Sequence, residues 1–173
     1  MKYIKIQNKG LLDIRLISLM GGTTKRDNEF KIGQFGSGLK YALAYFIRNK
    51  IDFKIFIGEE QVKIESIQDK ICGQTFDILY INDEKTSITA QMGYDWIPWM
   101  IAREIWCNAL DEGEAKREIT EDVSGQENTT TFYIEMNLEF NKVWQNWTTY
   151  FIQEFEPIYS CNLFSIYPGG ESL

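Results

Sequence analysis

Residues 21–49 read GGTTKRDNEFKIGQFGSGLKYALAYFIRN. A threonine–lysine loop, closely spaced glycines and an abrupt change to helical patterning follow one another in this stretch. Gly33, Gly36 and Gly38 permit backbone conformations and close approaches that a side chain would obstruct. From Ser37 onward Leu39, Leu43, Phe46 and Ile47 recur at helical spacing, which predicts a helix ending near residue 49. The first N–H groups of such a helix lack partners within it, and the positive end of its dipole faces whatever lies over the loop. That arrangement suits an anion, most often a phosphate. Lys40, at the start of the helix, would add a mobile positive charge. The same residues also read as a glycine-rich turn joining a loop to a packed helix.

Working outward, residues 2–7 alternate as a strand with Ile4 and Ile6 on one face. Leu12, Leu16, Leu19 and Met20 predict a helix over 11–20, stopped by Gly21 and Gly22. Residues 23–32 read as an exposed loop. After the central helix, Phe53, Ile55 and Ile57 alternate, residues 58–60 turn, and Val62 and Ile64 return as a hairpin. Further strands are expected at 75–82 and 86–91. Residues 95–111 form a second long helix with Asp95 as N-cap, Pro98 in its first turn and Gly113 as its stop. A charged loop over 114–128 leads to a strand alternating through Phe132, Ile134, Met136, Leu138 and Phe140. A last amphipathic helix is expected over 140–155, and residues 161–173 read as a loop or a short strand. This order implies a two-layer α/β (α+β) sandwich: one mostly antiparallel mixed sheet with helices on one face, in a single domain over 1–173.

With 173 residues and 44% hydrophobic content, the chain can bury a real core. No apolar run reaches membrane-spanning length, and the first residues do not resemble a signal peptide. Three scattered cysteines fit a reducing, cytoplasmic setting. The absence of His, with three scattered cysteines, argues against a zinc site and makes a His-based dyad unavailable. A net charge of -7 argues against a broad nucleic-acid surface. Any bound anion must therefore be held locally or accompanied by a cation such as magnesium. Richness in Ile, Lys and Asn with little Pro fits an AT-rich bacterial or phage genome, hence the host cytoplasm if phage-encoded. Trp96, Trp99, Trp106, Trp144 and Trp147 are expected to pack helices rather than to stack bases.

The helix over 95–111 carries Glu104, Asn108 and Asp111 within roughly 60° of arc, so all three share a face. Ile101, Ile105 and Trp106 occupy the opposite arc. An amide oxygen can ligate a hard cation, and a carboxylate one turn away can take a proton from attacking water. An ordinary solvated helix face fits the same three residues.

Together the two stretches resemble the ATP-binding domain of the GHKL (Bergerat-fold) ATPases, the group of gyrase B subunits, large heat-shock chaperones, histidine kinases, MutL-type repair proteins and MORC proteins. Glu104, Asn108 and Asp111 are similar to its asparagine-box helix. There the resemblance implies Glu104 as general base and Asn108 as magnesium ligand. Gly33, Gln34, Phe35, Gly36, Ser37, Gly38, Leu39 and Lys40 resemble the second glycine box, which wraps the phosphates. Gly22, Thr23, Thr24, Lys25 and Arg26 resemble the Thr/Ser–Lys lid of the chaperone and MORC branches. Thr75 is faintly similar to the threonine beside the adenine. The likeness covers about residues 3–140 and leaves the last helix and tail, 141–173, unassigned.

The motif order departs from the family, since the asparagine-box helix follows the glycine box instead of preceding it. A circular permutation accounts for this and predicts that strand 3–7 lies beside strand 131–137. The first glycine box, normally an aspartate followed by two spaced glycines, is reduced to Gln7, Asn8, Lys9 and Gly10. Asn8 can accept the adenine hydrogen bond without the charge. Two functions follow from the resemblance: an ATP/ADP- and Mg2+-dependent binding domain with slow hydrolysis, or a non-catalytic nucleotide-binding or protein-interaction module. A homodimer or another protein partner is left open, with no membrane and no direct nucleic-acid contact expected.

Overall fold

A computed structural model describes residues 1–18, 37–151, 160–161 and 164–165. In chain order these form β1 (Tyr3–Lys9), α1 (Arg15–Ser18), α2 (Gly38–Asn49), β2 (Phe53–Ile57), β3 (Glu60–Gln61), β4 (Ile64–Ile71), β5 (Gln74–Ile81), β6 (Glu84–Thr89), α3 (Pro98–Glu112), β7 (Ala115–Thr120), β8 (Thr129–Glu135), α4 (Leu138–Gln145), α5 (Trp147–Tyr150), β9 (Ser160–Cys161) and β10 (Phe164–Ser165). The architecture is the expected two-layer α+β sandwich. Its main sheet has the order β3-β2-β8-β1-β7, and every pairing among the described residues is antiparallel.

The strand pair expected from the permuted motif order is present. Tyr3 lies opposite Glu135, Ile4 opposite Ile134 and Ile6 opposite Phe132. On β1's other side Ile4 meets Ile119 and Ile6 meets Arg117. Because β1 is antiparallel to both neighbours, β7 and β8 run in the same direction without touching. Residues 121–128 must therefore travel back along the sheet, and they do so over the face away from the helices. Tyr133 anchors that crossover, donating from its hydroxyl to Ser124 O at 2.7 Å and accepting from Ser124 N–H at 3.1 Å. Val123 packs there on Tyr3, Phe56 and Tyr133.

Period-two alternation puts Ile4, Ile6, Ile55, Phe132 and Ile134 on the opposite face, where all are buried. Against them lie α2, through Ala42, Leu43 and Phe46, and α3, through Ile101, Ala102, Ile105 and Ala109. Phe46 stacks on Phe53 with ring centroids 4.8 Å apart and meets Phe140 of α4 at 6.0 Å. Arg48 fixes the approach of the two long helices. Its guanidinium donates to the carbonyls of Ala90, Met92 and Gly93 at 2.6, 3.0 and 3.0 Å, binding the lead-in to α3 onto α2. Trp147 is buried, and Trp96, Trp99, Trp106 and Trp144 are partly buried against the same core, so the tryptophans pack helices as expected.

Several boundaries differ from the sequence expectation. Only residues 15–18 of the expected 11–20 helix are helical within the described residues, while Leu19 and Met20 lie outside them. The single sheet is joined by a second one, β4-β5-β6, and a two-stranded ribbon. β4 was not anticipated because its residues are nearly all exposed and give no alternating apolar face. α3 begins at Pro98 with Ile97 at the N-cap, so Asp95 caps nothing. The 114–128 segment expected as loop contains β7; its charged residues pair as an edge strand. The strand through Phe132 stops at Glu135, because Asn137 Oδ1 accepts from Glu139 N–H and Phe140 N–H and starts α4. Leu138 is consequently 81% exposed while Phe140 is fully buried. The last helix is broken at Asn146 into α4 and α5.

At the end of the sheet where β1 and β2 begin, Tyr3 and Lys54 both donate to Asp52 Oδ2, and Lys54 also donates to the Tyr3 hydroxyl at 2.8 Å. Burial pushes the Asp52 carboxyl up, but these hydrogen bonds and the Lys54 charge outweigh it and hold the group below its ordinary 3.8. A carboxyl lowered in the folded state contributes stability above its unfolded value, and the contribution is lost as pH falls through the lowered one. Asp52→Asn is expected to flatten the loss of stability below about pH 4, read as urea midpoints across pH 3–6. Equal acid sensitivity in both proteins would refute this.

Candidate functional site

The two sequence stretches meet at the start of α2. Gly38, its first residue, lies against the side chain of Glu104 on α3. A Cβ at position 38 would overlap the Glu104 carboxylate, which would have to swing aside to admit it. Ser37 precedes it at the N-cap and makes no side-chain capping bond. The first turn is therefore not closed off by its own cap residue. Glu104 itself is 22% exposed and accepts a hydrogen bond and ion pair from Arg103 Nη2 at 2.9 Å. Arg103 in turn sits over the Trp99 ring at 5.4 Å.

One turn beyond Glu104, Asn108 donates from Nδ2 to Glu104 O at 2.8 Å. That bond fixes which end of the amide carries the oxygen. Asn108, Asp111 and Lys40 are all engaged rather than free. Lys40 departs from expectation: it is 2% exposed, not a mobile surface cation, and desolvation pushes its pKa below the usual 10.5. Leu39 packs on the hydrophobic core.

Asn8 and Gly10 lie at the far end of α3. Asn8 is buried on the helix-facing side at the end of β1, and its Nδ2 donates to Lys9 O at 2.8 Å. Gly10 has φ +102, which disfavours any other residue, and sits near the Glu112 carbonyl at the C-terminus of α3. Gly113, the α3 stop, packs within 3.3 Å of Lys9 O measured from a hypothetical Cβ, which ties the helix end to the strand end. Sequence reasoning missed Thr130, the cross-strand neighbour of Asn8. Its hydroxyl donates to Gly10 O and accepts from Leu12 N–H, both at 2.9 Å, and so pins the turn after β1. The run Thr129, Thr130, Thr131 opposite Gln7, Asn8 and Lys9 was the available signal. Arg103 carried none, since a basic residue beside a glutamate is common on helices.

The structure thus sets Gly38 against Glu104, with Asn108 one turn further along α3 and Gly10 near the C-terminal end of that helix. Thr75 does not belong with them. It is exposed beside the tip of the β4–β5 hairpin, opposite Lys70 in the second sheet, while Asn8 lies in the main one. Its strand pairs within that sheet, and no local signal distinguishes the two sheets. Thr23, Thr24, Lys25, Gly33, Gln34, Phe35 and Gly36 fall outside the described residues.

No cluster of three metal-ligating His, Cys, Asp or Glu side chains exists among the described residues. A dedicated all-protein metal cage is therefore absent there. A magnesium held chiefly by phosphate oxygens needs only one or two protein oxygens, and Glu104 and Asn108 carry side-chain oxygens one helical turn apart. Among the described residues no helix is long and apolar enough to cross a membrane. Compared with protein-family models, curated proteins and solved structures, the chain has no significant match.

Proposed function

We propose that the chain is a magnesium-dependent ATP-binding domain with slow hydrolysis, of GHKL type with permuted connectivity. The observation that carries this reading is the contact of Gly38 with Glu104. The last glycine of one motif touches the glutamate of the other, although 66 residues separate them in the chain. The neighbouring pairing of β1 and β8 supports the permuted order. In this reading the N–H groups at the start of α2 cradle the phosphates, and Glu104 takes the proton of the attacking water. Asn108 holds the magnesium, which neutralises phosphate charge when bound. Asn8 faces the base, and the resemblance gives Thr23, Thr24 and Lys25 the role of the lid.

One observation favours the non-catalytic alternative. Arg103 already occupies one Glu104 oxygen, leaving the carboxylate less free to hold a water. Both readings share nucleotide binding, so that is tested first. Calorimetric titration with ADP is expected to give saturable binding that disappears when magnesium is chelated. No heat of binding from ADP or ATP at millimolar magnesium would overturn the proposal.

A further inference from the structure

We propose that two copies of this chain pair antiparallel through the outer edge of β7, joining their main sheets into one continuous sheet. β7 ends the order β3-β2-β8-β1-β7 and has no strand beyond it among the described residues. Which backbone groups face outward follows from the ladder. Lys9 N–H donates to Glu114 O at 3.2 Å, so Lys9 and Glu114 form a hydrogen-bonded pair. Hydrogen-bonded and non-bonded pairs alternate along an antiparallel ladder. Lys116, Glu118 and Thr120 therefore turn their backbone groups in toward β1, and Ala115, Arg117 and Ile119 turn theirs outward.

An unpaired row of N–H and C=O groups is a template for another strand. A two-fold axis through the new seam must match outward residues with outward residues, which leaves few registers. Centring on Glu118 sets glutamate against glutamate, and centring on Lys116 sets lysine against lysine. Centring on Arg117 places Lys116 opposite Glu118 of the partner subunit, and Glu118 opposite Lys116 of the partner subunit. Both fall in non-hydrogen-bonded pairs, where side chains approach most closely. The same register sets Ile119, 44% exposed in the single chain, against Ala115 of the partner subunit. Arg117 then meets its own copy at the axis. Its guanidinium is already held over the Trp144 and Trp147 rings at 4.7 and 4.5 Å, which shields the charge. Charge pairing thus selects a second copy as the occupant, and it selects one register.

Sedimentation of the intact chain across micromolar concentrations tests this. The wild type is expected to dimerise reversibly. Ile119→Pro deletes an outward N–H while leaving the bonds to β1 in place, and is expected to be monomeric with an unchanged circular dichroism spectrum. Lys116→Glu and Glu118→Lys each turn two attractive pairs repulsive, which should weaken self-association by about tenfold or more. Mixed together, these two variants regain opposite charges at both positions and should form the heterodimer. A wild type monomeric throughout overturns the proposal. So does a dimer indifferent to Ile119→Pro, while a mixture no tighter than its components overturns the register.

Discussion

Glu104→Ala is expected to bind ATP nearly as well as the wild type and to hydrolyse it about 10²–10⁴-fold more slowly. The expectation follows from what surrounds the residue. Its carboxylate touches the first residue of α2 but belongs to α3, so its removal leaves the α2 backbone groups that would hold phosphate in place. Asn108→Ala should behave differently. Its amide is locked onto the preceding turn by the bond to Glu104 O, and in the proposed role it supplies the protein's oxygen to magnesium. Loss of that oxygen should weaken magnesium–nucleotide binding itself and everything downstream of it. Calorimetry and phosphate release, measured on the same preparations, separate the two variants. Equal, measurable hydrolysis by wild type and Glu104→Ala would remove Glu104 from the mechanism. Retained binding with no hydrolysis by either would establish the non-catalytic module.

Phe46→Ala should destabilise the protein severely. Phe46 is buried at the meeting point of three elements, stacked on Phe53 of β2 and against Phe140 of α4. Truncating such a ring removes its transfer energy and leaves a cavity that rigid neighbours cannot fill. The cost is about 3–5 kcal/mol, a large share of the total for a domain of this size. Leu138→Ala, at an 81% exposed position, serves as the control and should stay within about 0.5 kcal/mol. Urea unfolding at constant slope reads both. A loss under about 1 kcal/mol at Phe46 would contradict the packing between α2, the sheet and α4.

The sequence by itself determined what depends on local periodicity. The buried stripes of α2 and α3 were legible because apolar residues recur once per turn, and the common face of Glu104, Asn108 and Asp111 follows from their spacing alone. The alternation in β1 and β8 likewise assigned Ile4, Ile6, Phe132 and Ile134 to one face. Local pattern failed where the same residues satisfied two periods. Met136, Leu138 and Phe140 continue the alternation of β8, yet Asn137 captures two N–H groups and begins a helix instead. Exposed strands were illegible for a related reason: β4 and β7 are held by backbone pairing, which leaves little mark on side chains facing water. Only the tertiary structure decided which strands pair, and with it the position of β1 between β7 and β8. It also decided the burial of Lys40, the separation of Thr75 from Asn8, and the meeting of Gly38 with Glu104. Each of these depends on which distant backbone groups find one another and on what surface they jointly exclude from water, a choice that no window of neighbouring residues contains.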